Sequence, residues 1–210
     1  MLAVAHRTPD TVASCRELHD LGVGVFEVDV QVVRGGVVVS HFLPLVRGYP
    51  GLRRDRWTLS RGARAEPLDA VLARLPAGTQ VLVDLKTESP AAARAVAAAL
   101  SREPDRWYAS CKRWELLGPF AAAGIRTWRT IATRRALAAA LHPDRRGDAR
   151  PVTVRHTYLD RSTVRRLRQV TPEVVAWTVN DLRRAVELAG LGVTGLTSDD
   201  PRVHAYAASR

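Results

Sequence analysis

Val25-Phe26-Glu27-Val28-Asp29-Val30 sets two carboxylates inside an otherwise apolar, β-branched run. Such a run reads as a buried strand. Residues two apart on a strand face the same side, so Glu27 and Asp29 point together. Carboxylates are costly to bury unless they are paired, hydrogen-bonded or metal-bound. Two on one face repel each other unless a cation sits between them or one is protonated. A hard divalent cation, Ca²⁺ or Mg²⁺, is the natural counter-ion for oxygen ligands.

The same arrangement recurs outward from this stretch. His6-Arg7 follows the apolar run 2–5, His41 ends the run that begins at 37, and Asp84 and Lys86 sit within 81–86. Several polar residues at strand ends indicate one shared site. Asp84 is then the candidate third oxygen ligand. His6 and His41 are candidates for general base and acid, because imidazole titrates near neutrality. Arg7 and Lys86 suit a phosphate, Arg through its fork and Lys as a point charge. Asp84 with Lys86 also fits a plain ion pair.

Short β-branched runs predict strands over 2–5, 23–30, 37–41, 80–86, 107–110, 126–131, 152–156, 174–179 and 193–197. Helical stretches at 11–21, 68–75, 90–100, 114–123, 134–141, 162–170 and 182–189 lie between most of them. In the last, Leu182, Ala185, Val186 and Ala189 form the expected apolar stripe. Ser198-Asp199 before Pro201 reads as the cap of one more helix. Continuous apolar strands alternating with helices indicate a parallel α/β sheet covered on both faces. About eight such units in 210 residues fit a small (β/α)8 TIM barrel, whose active site lies at the C-terminal strand ends. A doubly wound open sheet is the alternative, because periodicity does not report closure.

Three stretches break the alternation. Residues 31–39 read as a hairpin around Gly35-Gly36. Residues 42–66 are rich in Arg, Gly and Pro without periodicity and read as a long, substrate-facing loop. Residues 143–151 read as a second loop. No linker or repeat interrupts the chain, so residues 1–210 are expected to form a single domain.

With 46% hydrophobic and 25% charged residues, the composition is that of a soluble globular protein. No apolar stretch approaches the roughly 20 residues that span a bilayer. The opening residues lack the basic start of a secretory leader. Cys15 and Cys111 show no metal-binding spacing, so a reducing, cytoplasmic setting is expected. The net charge of +11 favours an anionic partner. The arginines are scattered and carry no interleaved aromatic platform, which argues against nucleic acid.

Taken in order, the polar stretches resemble the glycerophosphodiester phosphodiesterases, metal-dependent TIM barrels related to phosphatidylinositol-specific phospholipase C. Ala5-His6-Arg7 is similar to the opening His-Arg-Gly, and Glu27-Val28-Asp29-Val30 to Glu-x-Asp-Val. Gly36-Val37-Val38-Val39-Ser40-His41 is similar to the segment carrying the second histidine. Val83-Asp84-Leu85-Lys86 resembles the Glu-x-Lys strand, and Trp177-Thr178-Val179-Asn180 the Trp-Thr-Val-Asn strand. The stretch 192–201 resembles the closing Gly-Val-Asp-Gly-Ile-x-Thr-Asp-x-Pro. Four departures stand out. Thr8 takes the place of the glycine, Pro9-Asp10-Thr11 that of the longer Pro-Glu-Asn-Thr turn, Phe42 that of an aspartate, and Asp84 that of a glutamate.

The resemblance implies that Glu27, Asp29 and Asp84 hold Ca²⁺ or Mg²⁺. It implies that His6 and His41 form the acid–base pair, that Arg7 and Lys86 contact phosphate, and that Trp177 walls the pocket. The implied substrate is a small phosphodiester, cleaved to glycerol 3-phosphate and an alcohol. The departures keep open a phosphoanion-binding barrel of altered specificity or without turnover.

Overall fold

The computed structural model describes residues 1–33, 36–40, 65–142 and 150–210 in full, and the backbone alone at 43–46, 49–54 and 59–61. Along the chain the strands are β1 (Leu2–Ala5), β2 (Val25–Val33), β3 (Gly36–Val39), β4 (Leu43–Val46), β5 (Tyr49–Arg54), β6 (Leu59–Arg61) and β7 (Glu66–Pro67). They continue with β8 (Gln80–Leu85), β9 (Trp107–Cys111), β10 (Arg126–Ile131), β11 (Val152–Arg155), β12 (Val174–Trp177) and β13 (Gly195–Ser198). The helices are α1 (Val12–Asp20), α2 (Leu68–Leu72), α3 (Pro90–Leu100), α4 (Gly118–Ala122), α5 (Arg134–Ala140), α6 (Arg161–Arg168), α7 (Leu182–Leu191) and α8 (Pro201–Ala208).

Strands β1, β2, β8, β9, β10, β11, β12 and β13 pair in that order, all parallel. β13 then returns to β1, with Leu2 opposite Gly195 and Ala5 opposite Ser198. That closure makes the sheet a (β/α)8 barrel and excludes the open alternative.

Alternation along the strands divides the apolar residues into two cores. Val4, Val25, Leu82, Tyr108, Trp128 and Val175 form one buried cluster inside the barrel. Phe26, Val28, Val81, Val83, Ala109, Ile131, Val154 and Ala176 join the larger cluster between strands and helices. Tyr108 packs on Trp128 with ring centroids 4.6 Å apart, and its hydroxyl donates to Gln80 at 3.0 Å. This plug supports the polar groups at the other end.

Gly195 shows how tight the interior is. A Cβ there would lie 3.0 Å from both Leu2 Cβ and Val175 Cγ2. Gly195→Ala is therefore expected to destabilise the fold by about 1–3 kcal/mol, the usual cost of overpacking. Urea unfolding checks this, and an unchanged midpoint contradicts the packing.

Short side chains start the helices just past the strand ends. Thr11, Ser89, Thr133, Asp160, Asp181 and Asp200 each accept a backbone N–H from the first turn. The expected helix at 114–123 is a 3₁₀ turn, Trp114–Leu117, followed by α4. Pro119 lacks the N–H that would continue one helix through this point.

Two other expectations are corrected. In α7 the buried face is Ala185 and Leu188, whereas Leu182 and Val186 are 37% and 47% exposed. Both stripes are apolar in sequence, and packing selects the one facing the barrel. The stretch 42–66, expected as loop, contains a three-stranded antiparallel sheet, β4-β5-β6. Backbone pairing needs no apolar periodicity, so composition did not report it. The strands of the hairpin expected at 31–39 pair, with β2 antiparallel to β3 and Val33 opposite Gly36, and positions 34 and 35 between them lie outside the described residues. Most of the expected loop at 143–151 lies outside the described residues.

Candidate active site

β2 delivers Glu27 and Asp29, 5% and 4% exposed, to the C-terminal mouth of the barrel. The register sets Asp84 of β8 opposite Asp29, and Ser110 of β9 opposite Asp84. One carboxylate oxygen from each of Glu27, Asp29 and Asp84 lies within 4.8 Å of the others. Ser110 Oγ donates to Asp84 Oδ1 at 3.0 Å. Lys86 Nζ donates to Asp29 Oδ1 at 2.8 Å and also to Asp84 Oδ2.

The turn after β1 braces this cluster. Arg7 N–H donates to Glu27 Oε2 at 2.9 Å, and Arg7 Nε lies 3.9 Å from Asp29 Oδ2. Thr8 donates to the Glu27 carbonyl through its N–H at 2.9 Å and its hydroxyl at 3.1 Å. The left-handed residue of this turn is Arg7, at φ 58°. Position 8 therefore does not require glycine, and Thr8 adds a hydrogen bond there.

Burial, and then the nearby charges of Asp29 and Asp84, push the Glu27 carboxyl well above its ordinary range. Lys86 and the Arg7 N–H oppose this and lose. Burial pulls the Lys86 ammonium down, but Asp84, Asp29 and Glu27 together hold it above its ordinary value. Buried Glu27 and Asp29 and the partly buried Asp84 thus crowd around one ammonium, which bonds to Asp29 and Asp84. An all-oxygen donor set with this excess of negative charge fits a hard divalent cation.

His6 projects beside the cluster. Its Nδ1 lies 2.8 Å from Asp199 Oδ1. Asp199 Oδ2 accepts from Asn180 Nδ2 at 2.8 Å, and Asn180 Oδ1 accepts from the Asp199 N–H at 2.8 Å. Burial raises the Asp199 carboxyl, but the hydrogen bonds from Asn180 and His6 outweigh it and hold the group below its usual value. Asp199 is thus no helix cap, as the sequence pattern had indicated. The cap of α8 is Asp200, and Ser198 Oγ accepts the Asp200 N–H at 2.9 Å. The missed signal is register: Ala5 pairs with Ser198, so the next residues, His6 and Asp199, meet.

A cavity of about 300 Å³ opens over these groups. His6, Arg7, Glu27, Asp84, Lys86 and Trp177, all singled out in the sequence, line it. Lys112, Arg155 and the hydroxyl residues Ser110, Thr130, Thr153 and Thr197 also line it and had drawn no attention. His41 lies outside the described residues.

No protein-family model and no curated protein matches this sequence. Solved structures do. A glycerophosphodiester phosphodiesterase from Thermotoga maritima matches with TM-score 0.69 at 16% identity, covering 100% of this chain and 98% of that one. The chain has the glycerophosphodiester phosphodiesterase fold. Another such enzyme, from Parabacteroides distasonis, matches with TM-score 0.71 at 16% identity, over 99% and 96% of the two chains. An Oleispira antarctica phosphodiesterase, solved with its product sn-glycerol-3-phosphate, matches with TM-score 0.68 at 16% identity, over 100% and 97%. Identities this low carry the phosphodiesterase fold alone, and the chemistry rests on the site.

Proposed function

We propose that the protein is a divalent-cation-dependent hydrolase of glycerophosphodiesters, releasing glycerol 3-phosphate and an alcohol. The observation that carries this reading is the convergence of Glu27, Asp29 and Asp84 on one point beside His6. The names of the structural neighbours, and the product bound to one of them, support the choice of substrate.

Glu27, Asp29 and Asp84 would hold Ca²⁺ or Mg²⁺, which when bound polarises a phosphoryl oxygen and acidifies the attacking hydroxyl. Arg7 and Lys86 bind and orient the diester phosphate. Two of the Lys86 protons already serve Asp29 and Asp84, so one remains for the ligand. His6, with its Nδ1 facing Asp199, presents Nε2 to take the proton of the attacking oxygen. His41 is assigned the return of a proton to the leaving alcohol oxygen. Trp177 walls the pocket.

Cys15 and Cys111 are buried free thiols, which fits the cytoplasm as the setting. Among the described residues no helix is long and apolar enough to cross a membrane. The same reading treats residues 1–210 as one domain, with β13 closing the barrel that β1 opens.

The test is release of glycerol 3-phosphate from a diester panel, with Mg²⁺ or Ca²⁺ and with chelator. Chelation is expected to cut the rate beyond the roughly 10–100-fold that loss of an outer partner costs a metal site. Undiminished turnover in chelator overturns the assignment. The second reading, an anion-binding barrel without turnover, is favoured by one feature: Lys86 already bridges two of the three carboxylates. Calorimetric binding of diester with no product from any panel member would establish it.

A further inference from the structure

The two halves of the cavity mouth differ in charge. On the β2 and β8 side, Lys86 and Arg7 face the carboxylates that occupy them. On the β9 to β11 side stand Lys112 and Arg155, both exposed and both lining the cavity. Among the described residues neither has a carboxylate partner. Elsewhere on the surface arginines do find one, as in Arg113 with Glu115 and Arg184 with Glu187. Of the 32 basic residues only Lys86 and Lys112 are lysines, and both line this one cavity.

The floor between Lys112 and Arg155 also holds polar atoms without partners. Thr130, on β10 between β9 and β11, is 4% exposed, and its Oγ1 has no hydrogen-bond partner. Trp177 Nε1, at the neighbouring wall, is buried and equally unpartnered. Arg155 pairs in register with Trp177 and holds its guanidinium 5.5 Å from the ring centroid. The ring that a quaternary ammonium would seek therefore already carries a cation. Buried polar groups left without partners are costly, and a ligand rich in acceptor oxygens would recover that cost.

We infer that Lys112, Thr130 and Arg155 form a second anion subsite, which selects diesters whose alcohol headgroup carries its own carboxylate or phosphate. This rests on the phosphodiesterase reading, which places the scissile phosphate against Arg7 and Lys86. Charge-assisted bonds from a guanidinium and an ammonium suit either oxyanion.

The experiment compares four diesters with Mg²⁺ or Ca²⁺: glycerophosphocholine, glycerophosphoethanolamine, glycerophosphoserine and a glycerophosphoglycerol bearing a terminal phosphate. The last two are expected to show kcat/KM at least about tenfold above the first two, and their ranking separates phosphate from carboxylate. In K112Q/R155Q the preference is expected to vanish, with KM for the anionic diesters rising about tenfold or more and kcat moving much less. Equal kcat/KM for all four, or a preference that survives in the variant, overturns the subsite. If none of the four is hydrolysed, the phosphodiesterase reading falls and calorimetry with glycerophosphoserine judges the subsite alone. Binding that weakens about tenfold in the double variant keeps it, and unchanged or undetectable binding removes it.

Discussion

Glu27→Gln is expected to stabilise the cation-free protein while abolishing its cation-dependent turnover. The two effects have one cause. Burial, with Asp29 and Asp84 beside it, makes the charged form of Glu27 unfavourable in the folded chain. Below pH 4.5, the ordinary value for the group, folded and unfolded chains both carry the proton and no penalty exists. Above it the unfolded chain releases the proton and the folded chain resists, so stability falls as pH rises until the folded group ionises. Glutamine is neutral throughout, and its amide oxygen can still accept the Arg7 N–H. In chelator the variant should match the parent near pH 4 and exceed it near pH 8. The gain is about 1.4 kcal/mol for every tenfold by which folding tightens the proton on Glu27.

Added cation should reverse the order. A ligand at 100 times its Kd stabilises the folded state by about 2.7 kcal/mol. The parent should gain this and the variant should gain little, because one of three ligand charges is gone. Turnover should fall further than the roughly 10–100-fold that loss of an outer partner costs a metal site. Unfolding midpoints across pH, in chelator and in Ca²⁺ or Mg²⁺, read both halves. A variant less stable than the parent in chelator, or equally stabilised by cation, would show that the carboxylates do not form a strained cation site.

Much of this was legible in the chain because the physics is local. A β-branched run interrupted at alternate positions by charged side chains has few readings; β2 carries it with Glu27 and Asp29, and the end of β8 with Asp84 and the Lys86 that follows. The same runs located all eight barrel strands to within a few residues. What stayed hidden depends on closure. Asp199 meets His6 only because β13 returns to β1, and the local pattern Ser-Asp-Asp-Pro offers a helix cap as an equally good account. Lys112 and Arg155 lie at or beyond the last residues of their strands, where one basic residue in an arginine-rich chain attracts no notice. Their meaning comes from standing either side of β10 over one cavity. The face of α7 was ambiguous for a related reason: both candidate stripes are apolar, and only the barrel decides between them.

His6→Ala should lower kcat by about 10²–10⁴-fold, the usual contribution of a positioned acid–base group. The sharper expectation concerns Asp199, which acts through His6. Its carboxylate accepts at both oxygens, from His6 Nδ1 and from Asn180 Nδ2. That forces the His6 proton onto Nδ1 and leaves Nε2 free to accept one. Asparagine at position 199 has one acceptor for two donors. With its oxygen toward Asn180, its NH₂ faces Nδ1 and reverses the tautomer; turned the other way, two amide NH₂ groups collide. Asp199→Asn should therefore cost about 100-fold or more in kcat, with KM little changed. Adding Asn180→Asp restores the pattern. The carboxylate then at position 180 would accept from the new amide NH₂ across from it, and that amide's oxygen would accept from Nδ1. The bonds that position 180 receives from Ser198 Oγ and from the backbone N–H of position 199 would persist. The exchange pair should recover a large part of the lost kcat, with KM little changed. A generic need for a carboxylate at position 199 predicts no such rescue, so an exchange variant no faster than D199N would overturn the tautomer-setting role, and a D199N variant as fast as the parent would remove Asp199 from the chemistry.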